Sequence, residues 1–181
     1  MKKISSRKSD LKIYQTFRKA RSLSLIVLMG LSIFSCGDDD GINSSVEINL
    51  DPNSILNIVN NHRRSGANCG GDNLPNTGGL QWSDELAKAA LDHSNDMQQN
   101  GYFDHTSQDG RKFSERAKSA GFEGSPVGEN IASGYQSEES VMQGWMESSG
   151  HCKNIMNSNA THVGVARSNE GALWTMVLGR Q

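Results

Sequence analysis

The first 36 residues set the conditions under which the rest of the chain must fold. Residues 1–21 carry eight Lys and Arg (Lys2, Lys3, Arg7, Lys8, Lys12, Arg18, Lys19 and Arg21) against one acid, Asp10, and an apolar run, SLSLIVLMGLSIFS, occupies 22–35. A basic segment followed by so short an apolar run is the pattern of a secretory signal, since a transmembrane helix needs about 20 apolar residues. Export is therefore expected, with residues 1–35 removed. With 35% hydrophobic and 6% aromatic residues, what remains suits one globular domain plus a tail rather than two domains.

The apolar run ends in Ile33-Phe34-Ser35-Cys36-Gly37. It resembles the lipobox of bacterial lipoproteins, with an aliphatic residue, a small one, then the cysteine that receives lipid. An ordinary cleavage site beside a chance cysteine is the alternative. An acylated Cys36 accounts for a cysteine that abuts the apolar run with no structure to bury it. The acidic stretch Gly37-Asp38-Asp39-Asp40-Gly41 reads as part of a solvated tether, residues 36–49. In some Gram-negative bacteria such acids resemble a surface-export signal, so the expected location is the outer membrane, on its periplasmic or cell-surface face.

Beyond residue 35, ten basic and nineteen acidic residues remain, a net charge of −9. A body this acidic without a basic stripe makes nucleic acid an unsuitable partner. It would not cling to anionic lipid heads either, so any membrane link rests on the lipid at Cys36. Two cysteines are left, Cys69 and Cys152. In an oxidising compartment the natural reading is a disulfide, closing a loop of more than 80 residues and worth up to about 4.5 kcal/mol in the chain-entropy model. Two free thiols remain the alternative, because spacing alone does not show that the Cα atoms approach.

Helix signals then alternate with Gly-rich loops. Asp51-Pro52 is an N-cap and first-turn pair; Ile55, Ile58, Val59 and His62 share a face, and Gly66 stops the helix. A loop is expected over 67–79. Ser83 caps a second helix in which Leu86, Ala90, His93 and Met97 fall at helical spacing before Gly101, making His93 a hydrogen-bonded core residue rather than a ligand. A third helix is expected from Arg111 to Ala120 and a fourth from Glu138 to Ser148, capped by Ser137, with Val141 and Trp145 facing the core. His162–Ala166 and Ala172–Leu178 read as strands joined by a turn at Asn169-Glu170-Gly171. Leading helices with antiparallel strands at the end make the fold class α+β.

Several polar clusters sit at element boundaries: NHRRSGANCG at 61, DHTSQDG at 104, GENIA at 128 and WMESSGHCKNIM at 145, followed by THVGVA and LWTMVLG. In this order and spacing, over residues 50–181, they resemble the CAP superfamily: the cysteine-rich secretory, antigen 5 and pathogenesis-related proteins, also called the SCP domain. The short bacterial branch is the nearest likeness. The resemblance implies a three-layer α-β-α sandwich with a small antiparallel sheet and a cleft that gathers two histidines and two acids.

By motif, His105 matches the first histidine of that cleft, Glu129 the acid of the GEN motif, and His151 the second histidine. Animal members place an acid three residues after the helix Trp; here Ser148 stands there and Glu147 precedes it. Glu147 is thus the expected substitute, or the cleft is a triad supplemented by water. Some family members bind zinc or magnesium at this place. His105 and His151 are accordingly the expected ligands of Zn²⁺ or Mg²⁺, imidazole suiting zinc especially. In the competing reading Glu129 hydrogen-bonds the clusters and merely locks the loops.

Three functions follow from the resemblance. The first is a membrane-anchored module taking a lipid, peptide or glycan in its cleft. The second is a metal-dependent hydrolase with His105, Glu129 and His151 as catalytic candidates, although neither HExxH nor GxSxG occurs. The third is a structural envelope protein.

Overall fold

The computed structural model describes residues 45–171 and 173–181. The expected signal segment, Cys36 and most of the tether lie outside the described residues, as does Ala172, the first residue of the expected closing strand. No helix among the described residues is long and apolar enough to cross a membrane.

The helix caps fall where the side chains place them. Helix α1 (Pro52–Ser65) starts at Asp51, whose carboxylate accepts from Asn53 N, with Pro52 in the first turn, where a missing N–H costs nothing. Helix α2 (Asp84–Asn100) starts at Ser83, which accepts from Leu86 N, and stops at Gly101 in the left-handed conformation, φ 66°. Between them, the stretch expected as loop holds a small hairpin, β1 (Ala67–Cys69) with β2 (Asp72–Leu74), and a two-residue strand, β3 (Gln81–Trp82). Helix α3 (Phe113–Ser119) begins two residues later than expected and is followed by strand β4 (Ser125–Ser133). Helix α4 (Glu138–Glu147) is capped by Ser137; α5 (Ser149–Ile155), β5 (His162–Arg167) and β6 (Leu173–Arg180) complete the chain.

The main sheet runs β3-β5-β6-β4, antiparallel except for the parallel pair β3–β5. Strand alternation sends successive side chains to opposite faces. Val163, Val165, Trp174, Met176 and Leu178 join Ile55 and Val59 of α1, Val141, Met142 and Trp145 of α4 and Ile155 of α5. On the other face Ala166 and Val177 join Leu86, Ala89 and Ala90 of α2, Ala117 of α3 and Phe122. This is the expected three-layer α-β-α arrangement. Each buried aliphatic or aromatic side chain contributes about 1.5–3 kcal/mol. At Gly164 the helix layer touches the sheet: a Cβ there would lie 2.0 Å from Ala87 N, so only glycine lets α2 approach β5 this closely.

Two expectations need correction. GENIA does not sit at an element boundary but forms the centre of β4. Pro126, Gly128, Glu129 and Asn130 are poor strand formers, and β4 is tolerated because it is an edge strand, with an irregularity in its register between Pro126 and Gly128. The fourth helix, expected to run to Ser148, stops at Glu147. The backbone at Ser148 turns extended (φ −90°, ψ 120°), and a second helix, α5, begins at Ser149.

Cys69 and Cys152 form a disulfide, Cα–Cα 5.4 Å, tying the β1–β2 hairpin to α5. Lys153 and Asp72 add an exposed ion pair at 2.6 Å across the same contact. Arg63, fully buried, secures the far end of α5. Its guanidinium donates to the carbonyls of Gly78 (2.7 Å), Ile155 (2.6 Å), Asn157 (3.0 Å) and Ala160 (3.2 Å). A cation fits here because the carbonyls at a helix C-terminus carry partial negative charge.

Candidate functional site

Glu129 lies mid-way along β4 with 4% of its surface exposed, a burial that a carboxylate withstands only if both oxygens are partnered. They are. Oε2 accepts from Arg116 Nη2 at 2.6 Å, and Oε1 is 2.8 Å from His105 Nδ1. Arg116, itself buried on α3, also donates through Nη1 to the carbonyls of His105 (3.1 Å) and Arg111 (2.8 Å) and to Ser107 Oγ (3.1 Å). One guanidinium therefore grips both the backbone of His105 and the carboxylate that orients its ring. The loop receives a second hold from His93, fully buried on α2, whose Nε2 meets the Asp104 carbonyl at 2.9 Å. His93 is thus the core histidine its helical spacing suggested, and it fixes the neighbour of His105.

His151 comes from the other side, on α5. Asn130 donates from Nδ2 to the His151 carbonyl at 3.1 Å, and Asn154 donates to the Glu129 carbonyl (3.1 Å) and to Asn130 Oδ1 (2.9 Å). These amides stitch α5 to β4 at Glu129 itself and at its neighbour Asn130. The His151 ring has no hydrogen bond among the described residues. Burial first, and then the charge of nearby His105, push its pKa below the usual 6.5. His105 is displaced the opposite way: the Glu129 hydrogen bond raises its pKa above 6.5 despite partial burial.

Each histidine opens onto its own cavity of about 380 Å³. His105 and Glu129 share theirs with Phe113, Val127, Gly128 and Asn154. His151 shares the other with Phe103, Ile131, Tyr135, Trp145 and Ser148. The structure thus brings His105, Glu129 and His151 to one region, whereas Glu147 is exposed at the end of α4 and accepts from Gln143 Nε2 at 2.9 Å. Ser148, not Glu147, faces the cavity beside His151.

Among the described residues no group of three or more His, Cys, Asp and Glu is placed to hold a metal ion. The donor set is compatible with a smaller role. With Nδ1 of His105 donating to Glu129, the neutral ring presents Nε2 bare, the tautomer a metal requires, and the carboxylate is the customary outer partner of such a ligand. Two imidazoles would supply two positions and leave the rest to water or to a bound molecule. Neither Arg116 nor the two asparagines stands out as functional in the sequence. The available signal was that a buried glutamate in GEN demands a countercharge, and Arg116 lies beside Ala117 on the helix that packs against it.

A model of the family described as "CAP: Cysteine-rich secretory protein family" matches residues 56–178. The uncharacterized protein YkwD of Bacillus subtilis is 43% identical over 96 residues, which cover 53% of this chain and 37% of that protein. The chain thus spans little more than a third of that curated relative. Among solved structures, an extracellular protein containing an SCP domain from Bacillus anthracis is similar with TM-score 0.61 and 28% identity over 71% of this chain and 40% of that one. An outer surface protein of Borrelia burgdorferi shares the fold at TM-score 0.59 and 17% identity, covering 71% of this chain and 91% of its own.

The opposed histidine shifts give opposed pH dependences. His105, raised, stabilises the fold below pH 6.5 and loses that contribution as pH rises through its folded value. His151, lowered, resists protonation, so its share of stability is lost as pH falls from 6.5 through its folded value. An NMR titration of the imidazoles should therefore find His105 above 6.5 and His151 below it. In Glu129→Gln the His105 midpoint should fall toward that of His151, and urea denaturation should show a loss of about 3 kcal/mol, because Arg116 is left buried without its anion. A His105 midpoint at or below that of His151 in the wild type would contradict this reading of the site.

Proposed function

The chain belongs to the CAP, or cysteine-rich secretory protein, family, and on that premise we propose that it is an exported, lipid-anchored binding module whose cleft holds a divalent cation between His105 and His151. The observation that carries the reading is the use of the Glu129 carboxylate. One oxygen is neutralised by Arg116 and the other orients His105 through Nδ1, so Glu129 serves the histidine from behind. With both oxygens committed to Arg116 and His105, the carboxylate is not free to take a proton from an attacking water, and this favours binding over hydrolysis. Of the nearby nucleophile candidates, Cys152 is committed to the disulfide and Ser149 Oγ to the Cys69 carbonyl at 3.1 Å, while Ser148 lines the cavity beside His151.

A cation at this place would act as a Lewis acid, drawing in an oxygen or nitrogen of the ligand at its open positions. His105 and His151 would hold it; Arg116, through Glu129, would keep the His105 imidazole from turning away, and Asn130 would hold the backbone that carries His151. On either side, Phe113 with Val127 and Phe103 with Tyr135 and Trp145 supply apolar walls. Such walls favour a lipid or an apolar peptide over a glycan. Export and anchoring are supported by the basic and apolar leader ending at Cys36, and by the words "extracellular" and "outer surface" attached to similar proteins.

Titration calorimetry with Zn²⁺ is expected to give saturable binding that weakens about tenfold or more in His105→Ala and in His151→Ala. It should persist in His162→Ala, a histidine that lines neither cavity. Binding should also weaken as pH falls through the raised pKa of His105, where protons displace the metal. A wild type without saturable binding, or an equal loss in His162→Ala, would remove the metal from the proposal. Labelling with a palmitate analogue should mark the wild type and spare Cys36→Ala; an unmarked wild type would remove the anchor.

A further inference from the structure

A third cavity, of about 450 Å³, lies between α2 and the segment leading through α3, and shares no lining residue with the two beside the histidines. Its walls are divided by charge. Helix α2 contributes Asp92 and Asp96; the other wall contributes Arg111 and Arg116, with His93 and Ser107 also lining the space. Each charge is partnered on its own side: Asp92 by Lys88 at 2.8 Å, Asp96 by Tyr102 and Asn100, Arg111 by Asp109 at 2.6 Å, and Arg116 by Glu129 at 2.6 Å. Among the described residues no ion pair crosses the cavity. The two walls nevertheless feel each other, since Asp109 first, then Asp96 and Asp92, raise the pKa of Arg111.

Opposite charges facing across a gap without closing it leave attraction available to an occupant. Ala89, Ser119 and Ala120 are too short to fill the space from either helix. Arg116 Nε is in addition a buried donor with no protein partner, so the guanidinium on that wall is not fully satisfied by the protein. A simple anion would meet Asp92 and Asp96, and a simple cation would meet Arg111 and Arg116. A molecule carrying both charges satisfies both walls. We propose that this cavity binds a small zwitterion of the amino-acid or short-peptide class, its carboxylate toward Arg111 and Arg116 and its ammonium toward Asp92 and Asp96. The volume lies within the range of about 300–1,000 Å³ typical of small-ligand pockets and accommodates a dipeptide.

The site adjoins the cleft through Arg116 but does not depend on a metal there. The test is an NMR titration of the full chain with L-alanyl-L-alanine, with acetate and methylammonium as single-charge controls. Saturable shifts are expected at His93 and Ser107 and not at His151, with each control binding about tenfold or more weakly than the dipeptide. Asp92→Asn and Arg111→Gln, both at exposed positions, should each weaken the dipeptide about tenfold while the melting temperature stays near that of the wild type. Absence of saturable shifts, acetate binding as tightly as the dipeptide, or indifference to both substitutions would overturn the proposal and leave a cavity filled by water alone.

Discussion

A buried carboxylate shared between a guanidinium and an imidazole organises this molecule. Glu129 sits in an edge strand whose sequence is otherwise ill suited to a sheet, and burying its charge there is favourable only because Arg116 and His105 complete both oxygens. The same guanidinium holds the His105 and Arg111 carbonyls, so strand β4, helix α3 and the loop between α2 and α3 are fixed through one cation. Removing Glu129 or Arg116 would leave the other as an uncompensated buried charge, which makes the triad a matter of folding as well as of chemistry.

The second histidine reaches the same region by a different set of restraints. Helix α5 is too short to hold itself in place, since isolated helices under about 12 residues are marginal in water. Its position comes from the disulfide, from Arg63 beneath its final carbonyl, and from the amides of Asn130 and Asn154. His105 is thus anchored electrostatically and His151 by covalent and amide links. Their pKa values part accordingly, His105 upward because its proton is wanted by a carboxylate, His151 downward because nothing nearby welcomes charge.

Much of this was legible in the residues. Asp51, Ser83 and Ser137 cap the helices their spacing assigned to them, and His93 is the buried histidine that its place on the apolar face of α2 indicated. The motifs led to His105 and Glu129, which share a hydrogen bond, and to His151, which lies near enough for the charge of His105 to be felt. What stayed hidden was set by tertiary contacts that have no local pattern. Strand β4 reads as loop because its Gly, Glu and Asn are stabilised by α3 and α5, not by strand propensity. Arg116 and Arg63 look like ordinary surface cations on their helices until the carboxylate and carbonyls they meet, from distant segments, are in view. Glu147 illustrates the converse, since one position along a helix turns a side chain by about 100°, enough to carry it from the cleft to solvent.

If Glu129 supports His105 from behind and a cation bridges the two imidazoles, that cation should bind to the histidines and leave the carboxylate where it is. Anomalous diffraction at the zinc edge from zinc-soaked crystals measures this directly. The account predicts one strong peak bonded to His105 Nε2 and a ring nitrogen of His151, with Glu129 still on His105 Nδ1 and Arg116. Zinc bonded to the Glu129 carboxylate, or no peak between the histidines, would contradict it.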